Sequence, residues 1–248
     1  MKKTLLLVAV LTATSLMSFG QTKVWNVGND PVLFPVSSGY STGNNPTIDG
    51  LTITPGGTNV TNMGVVEAGA KTFTSPTTSV EYSFANRFKF NGAGYSGAAN
   101  TDAQPTAMMP TQRYLSFSVS GNSTIYVIGA SGSTTNPSRN LFLTDGTNFI
   151  GLVNFPNTPL SEGTFTYTGP AATLYMFCNA AVNMYYISAT NVIVSAVNTI
   201  DTNKKVVDVQ HFDILGKKIN ENAKGLVIQK VTYDDGTVGT VKSYIKDK

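Results

Sequence analysis

Apolar and polar residues alternate in short runs along most of this chain. In residues 113–120, Leu115, Phe117 and Val119 fall on one side and Tyr114, Ser116 and Ser118 on the other. In residues 163–169, Phe165 and Tyr167 alternate with threonines, and in 79–84, Val80, Tyr82 and Phe84 alternate with Glu81 and Ser83. A period of two is that of a half-buried antiparallel strand. Turn-forming clusters separate the runs: Asp49-Gly50, residues 120–123, residues 145–148 and residues 168–170. Each joins two alternating segments, as hairpin loops do. The pattern predicts about ten to twelve strands between Lys23 and Val197, and no stretch there carries a helical period.

Regularly spaced short strands predict an all-β, antiparallel β-sandwich, jelly-roll-like, over residues 21–197. A parallel β-helix is the competing all-β fold. The body is short for one and shows no stacked coil repeat. Residues 198–205 are polar and read as a linker. Beyond them, residues 206–248 hold three strand-like runs, expected to form a small C-terminal β domain with a thin core.

The N-terminus breaks the pattern. Lys2 and Lys3 precede an apolar run from Leu5 to Leu11, and Ser18 and Gly20 are small residues ahead of Gln21. Residues 1–20 read as a secretory signal peptide. The apolar run is shorter than the ~20 residues a spanning helix needs, so no membrane-spanning segment is expected.

Charge narrows the function. The body carries six basic residues (Lys23, Lys71, Arg87, Lys89, Arg113, Arg139) against seven acidic ones (Asp30, Asp49, Glu67, Glu81, Asp102, Asp145, Glu162). No basic stripe is there to meet phosphates, so nucleic acid is not an expected partner. The one histidine, His211, lies outside the body. A Ser-His-Asp triad, a histidine-based zinc site and a Cys-His pair within the body are therefore excluded. Seven scattered carboxylates form no recognisable glycosidase or calcium motif. The chain is read as non-catalytic, with no metal and no cofactor. Cys178, the sole cysteine, sits in the apolar run 173–178 and reads as a small buried hydrophobe.

Binding residues are sought among cations and rings. Arg87 and Lys89 sit two apart, so they share a strand face opposite Phe88 and Phe90. With Arg113 or Arg139 alongside they would receive a carboxylate, arginine doing so through two parallel bonds. Tyr95, on the glycine-rich stretch 91–100, and Tyr114 are candidates for stacking on a sugar face. The expected ligand is polysaccharide, and uronate-containing chains suit the cations. The rival reading is a structural or adhesive surface protein without a small-ligand site.

Two resemblances bear on this. Phe212, Asp213, Gly216, Lys217 and Lys218, then Gly225 to Lys230, then Lys242 to Lys246, resemble the C-terminal sorting domain of proteins exported by the bacterial type IX secretion system. Leu226 stands where that pattern usually has an aromatic. The resemblance implies export to the cell surface or medium, with the outer-membrane secretion machinery as a partner. In the body, the stretches "TIDGLTIT", "NRFKFNGAG", "RYLSFSVSGNSTIYVIGASG", "RNLFLTDG" and "NMYYISA" resemble, in that order, a β-sandwich module of secreted pectate-lyase-like proteins. That resemblance implies a non-catalytic, carbohydrate-binding or structural role.

Overall fold

The computed structural model describes residues 20–56, 63–135, 138–156, 159–194, 205–213, 215–220, 223 and 225–245. The expected signal peptide, apart from Gly20, and most of the expected linker lie outside the described residues. The chain divides into two compact units, one ending at Val194 and the other beginning at Ser195.

The first unit contains β1 (Gln21–Trp25), β2 (Thr47–Ile48), β3 (Leu51–Gly56), β4 (Val65–Thr74), β5 (Glu81–Lys89), β6 (Gln112–Val119), β7 (Ser123–Ser131), β8 (Arg139–Thr144), β9 (Phe149–Phe155), β10 (Ser161–Tyr167), β11 (Ala172–Cys178) and β12 (Val182–Val192). Every pairing among them is antiparallel. Sheet one runs β4-β5-β12-β7-β10, with β1 against the C-terminal half of β12. Sheet two runs β2-β3-β6-β11-β8-β9. A single bridge, Val192 to Val119, links them.

The two sheets pack face to face as the alternation requires. Leu115, Phe117 and Val119 of β6 point inward and are buried, as are Ile125 and Val127 of β7 and Met184, Ile187 and Ala189 of β12. Trp25 of sheet one meets Phe117 of sheet two with ring centroids 5.2 Å apart. At Gly129 of β7 the sheets approach so closely that a Cβ would stand 2.7 Å from Cζ of Phe155. The Asp49-Gly50 turn is tight, both residues adopting positive φ (47° and 85°), as the two-residue loop of a hairpin demands.

Half-buried strands would leave each outer face to water. Here both outer faces are partly covered by the chain itself. A bulge between Ala68 and Lys71 bends the β4–β5 hairpin away from sheet one. The tip of the hairpin then reaches β10, where Thr77 donates to Glu162 through its backbone N–H (3.2 Å) and its hydroxyl (2.5 Å). Between this strap and the sheet lies a second cluster, in which Phe84, flanked by Phe73 and Tyr82, comes from the strap and Ile128 and Tyr185, flanked by Tyr126 and Tyr186, from the sheet. Val80, expected to share a face with Tyr82 and Phe84, instead precedes β5 and is exposed.

On sheet two the cover is the long connection 90–111. The Asn179 side chain fastens it by donating to the carbonyls of Ala99 (2.9 Å) and Asn100 (3.0 Å), while accepting from the Asn140 N–H. A third cluster of Tyr95, Phe142 and Phe177 lies under it.

The second unit is a four-stranded antiparallel sheet, β14-β13-β15-β16, built from β13 (Val206–Phe212), β14 (Lys218–Ile219), β15 (Gly225–Tyr233) and β16 (Val238–Ile245). The three expected runs are β13, β15 and β16. The short β14 comes from the stretch read as a separator. The Phe-Asp-x-x-Gly stretch is its turn: the Asp213 carboxylate accepts from the N–H groups of Leu215 and Lys217 (2.9 Å each), and Gly216 adopts a φ of 79°. Val227, Val231 and Tyr233 are buried, and Val206, Val207 and Val209 are exposed.

Candidate functional site

The outer side of sheet one holds the densest chemistry. Two adjacent tyrosines, Tyr185 and Tyr186, both turn outward because a bulge in β12 against β7 interrupts the alternation between Met184 and Ile187. Tyr186 makes edge contacts with Tyr82 (5.2 Å) and Tyr126 (6.0 Å). The Tyr126 phenol donates to the Glu162 carboxylate, the same group that holds Thr77. Burial alone would raise the Glu162 carboxyl. Hydrogen bonds from Ser75, Thr77 and Tyr126 outweigh it and hold that group below the usual carboxylate range.

Beside the root of the strap, sheet one opens into a small cleft of about 90 Å³. Its walls carry Arg87 and Lys71, the Asn183 carboxamide, Tyr185, and the hydroxyls of Ser131, Ser133 and Thr134. Arg87 reaches it from β5, where Phe88 on the opposite side is wholly buried. Gly69 makes the path: a Cβ there would stand 2.8 Å from Cγ of Arg87, so the stem lies flat across β4. Arg87 then donates to one oxygen of Glu67, through Nε at 3.0 Å and Nη2 at 2.6 Å. Lys89 approaches that same oxygen at 3.2 Å. The hydrogen bonds from Arg87, then Lys89, hold the Glu67 carboxyl below its usual range.

The five residues singled out from sequence therefore separate. Arg87 and Lys89 do share a face, and Glu67 joins them. Arg87 lines the cleft, and Lys89 stands behind it through Glu67. Arg113 is elsewhere, at the start of β6 in sheet two. Its backbone is left-handed (φ 47°), its guanidinium packs against Gly92, and its buried Nε has no hydrogen-bond partner. Burial lowers its pKa. Tyr95 is not a stacking platform: it is 3% exposed, with Phe177 edge-on at 6.0 Å and its phenol donating to Asp102. The glycine-rich stretch carries it inward because the aromatic outer face of sheet two needs cover. Tyr114 remains half-buried on that face, edge-on to Tyr175 at 5.8 Å. Arg139 donates from Nη1 to the carbonyl of Ala181 at 2.7 Å.

Sequence reasoning missed Lys71, Asn183 and Tyr185 as cleft residues. The adjacent tyrosines at 185 and 186 were the available signal, since a strict alternation cannot keep both on one side. Cys178 is fully buried, and burial pushes its thiol pKa well up, as expected of a packing residue. Among the described residues, no three His, Cys, Asp or Glu side chains are grouped to hold a metal ion. A second hollow, between the Asp145 turn and β10, is lined by Asp145, Asn148, Phe149, Thr166 and Tyr167, and no Lys or Arg is among its described lining residues.

No family model matches this sequence, and no curated protein matches it. Solved structures similar to the chain include carbohydrate-binding modules and an exo-beta-1,3-galactanase from Phanerochaete chrysosporium (9% identity, 57% of this chain and 30% of that one, TM-score 0.27). One is the CBM36-1 domain of a multidomain xylanase from the hindgut metagenome of Trinervitermes trinervoides (11% identity, 56% of this chain and 95% of that one, TM-score 0.28). Another is a CBM36 module in complex with calcium and xylotriose (17% identity, 51% and 92%, TM-score 0.26). A third is the CBM22-1 xylan-binding domain from Paenibacillus barcinonensis Xyn10C (12% identity, 57% and 91%, TM-score 0.29).

Proposed function

We propose that this chain is a secreted, non-catalytic surface protein that binds acidic polysaccharide at the cleft of sheet one. The observation that carries the reading is the gathering of Arg87 and Lys71 with Asn183, Tyr185 and three hydroxyl side chains around one opening. Sugar hydroxyls both donate and accept, and carboxamide and hydroxyl groups answer them in kind. Cations add a preference for carboxylate-bearing rings, and arginine's planar fork matches a carboxylate. Lys89 supports the site by sharing Glu67. Tyr114, with Tyr175, supplies a separate half-buried ring pair on sheet two, and Arg113 and Tyr95 shape the cover beside it.

Titration of the purified chain with oligogalacturonate, followed calorimetrically, tests this. Arg87→Ala removes the charge-assisted bonds, and an affinity loss of about tenfold or more is expected. Failure of the wild-type protein to bind any acidic or neutral polysaccharide would favour the adhesive, ligand-free reading instead.

The sorting-like second unit supports passage across the outer membrane by a type IX system, with residues 1–20 as the signal for the first membrane. Among the described residues, no helix is long and apolar enough to cross a membrane. A version ending at Val194 is expected to accumulate inside the outer membrane when fractions are compared by immunoblot. Equal export of both versions would reject the address.

A further inference from the structure

The acidic-glycan reading of the cleft leads to a specific role for a residue that does not line it. All three hydrogen-bonding contacts from Arg87 and Lys89 converge on Oε1 of Glu67, at 2.6, 3.0 and 3.2 Å. The guanidinium fork, which could hold two oxygens in parallel, holds one. Neither side is buried: the Glu67 and Arg87 side chains are each 36% exposed, and Lys89 is 30% exposed. Exposed pairs of this kind are weak and exchange readily with other partners.

We infer that Glu67 is a resident stand-in for the ligand carboxylate, and that a uronate-bearing chain binds by displacing it from Arg87. A ligand carboxylate is free to present both oxygens to the fork, forming the two parallel bonds that Glu67 does not make. Charge points the same way. Arg87 and Lys89 carry two positive charges at this point, and Glu67 offsets one. A second carboxylate arriving while Glu67 stays in place meets its repulsion. Once Glu67 swings away, the arriving group takes over its partners. Glu67 is free to do so toward solvent, because its side chain is 36% exposed. The stand-in thereby sets affinity for charged chains and leaves neutral chains unaffected.

The test compares full-length wild-type protein with Glu67→Gln by calorimetry, using oligogalacturonate and its fully methyl-esterified, neutral form. Glutamine keeps the acceptor oxygen that orients Arg87 and removes the competing charge. Oligogalacturonate should bind the variant roughly five- to tenfold more tightly, the size of one unit charge removed a few ångströms away in a solvent-screened site. The methyl ester should bind both proteins equally. Wild-type binding with an unchanged or weakened variant overturns the stand-in and leaves the cleft assignment intact. Equal tightening for the neutral chain also overturns it, since charge would then not be the cause. Binding by neither protein overturns both the inference and the cleft assignment. An unchanged melting temperature verifies that the variant is folded.

Discussion

Gly129 offers the sharpest test of how the two sheets meet. It lies in β7, in the strand that runs on to Ala130 and Ser131 at the cleft. A Cβ at this position would stand 2.7 Å from Cζ of Phe155 and 3.0 Å from both Cε atoms. Carbon pairs settle near 3.5–4.0 Å, so Gly129→Ala forces the ring, or the sheets, apart by most of an ångström. Phe155 is fully buried and cannot swing out to solvent. Overpacking of this kind costs about 1–3 kcal/mol. The single tryptophan, Trp25, is fully buried in this unit, so its fluorescence during urea unfolding reports the sandwich without the second unit. The midpoint should fall with the slope unchanged, and the melting temperature should drop by about 3–10 °C for a unit of this size. Phe155→Leu removes the offending ring edge at a cost of about 1–2 kcal/mol. Combined with Gly129→Ala it should restore at least ~1 kcal/mol over the sum of the single changes, because the two residues share one contact. Strict additivity, or a fully stable Gly129→Ala protein, would mean that β7 and β9 do not face each other here.

The strap yields a further mutation and a pH effect. Glu162→Gln replaces the carboxylate that receives Thr77 and Tyr126, and should destabilise the sandwich by about 1–2 kcal/mol, with faster amide exchange at residues 75–79 than elsewhere in the hairpin. Equal exchange in both proteins would rule out the fastening. The Glu162 carboxyl is held below its unfolded value, so its contribution is present above about pH 4.5 and fades as pH falls through the lower folded value. The stability of the wild type should decline over that acid window more steeply than that of Glu162→Gln, and parallel curves would contradict the assignment.

Much of the sandwich was legible because alternation and turn chemistry are local. Leu115, Phe117 and Val119 were separable from Tyr114, Ser116 and Ser118 by parity alone, and Asp49-Gly50 was a hairpin because few other pairs accept two positive φ angles. The Asp213 and Gly216 pair behaves likewise, since both residues are needed to close one turn. Tyr95 was not legible. Nothing within the glycine-rich stretch 91–100 says that its ring turns inward, because the reason lies in Phe142 and Phe177 on distant strands. The ties that fix that cover join Asn179 to residues 79 and 80 positions earlier. Glu67 was missed for a related reason. Its partnership with Arg87 depends on the register of a hairpin that contains a bulge, and composition does not reveal where a bulge falls.

The covers also account for where the candidate site sits. An aromatic-rich outer face cannot stay exposed in a stable soluble sheet without inviting association. Here Ile128 and Tyr185 on one side, and Phe142 and Phe177 on the other, are buried beneath segments of the same chain. Covering sheet one requires its edge hairpin to leave the plane, and the bulge from Ala68 to Lys71 provides the bend. At that bend, hairpin and sheet part, and polar side chains from both surfaces are left facing one opening: Arg87 and Lys71 from the hairpin, Asn183 and Ser131 from the sheet. The cleft is thus a geometric consequence of burying the aromatics. Its cations stand where β5 leaves sheet one, positioned by the same strands that form the core.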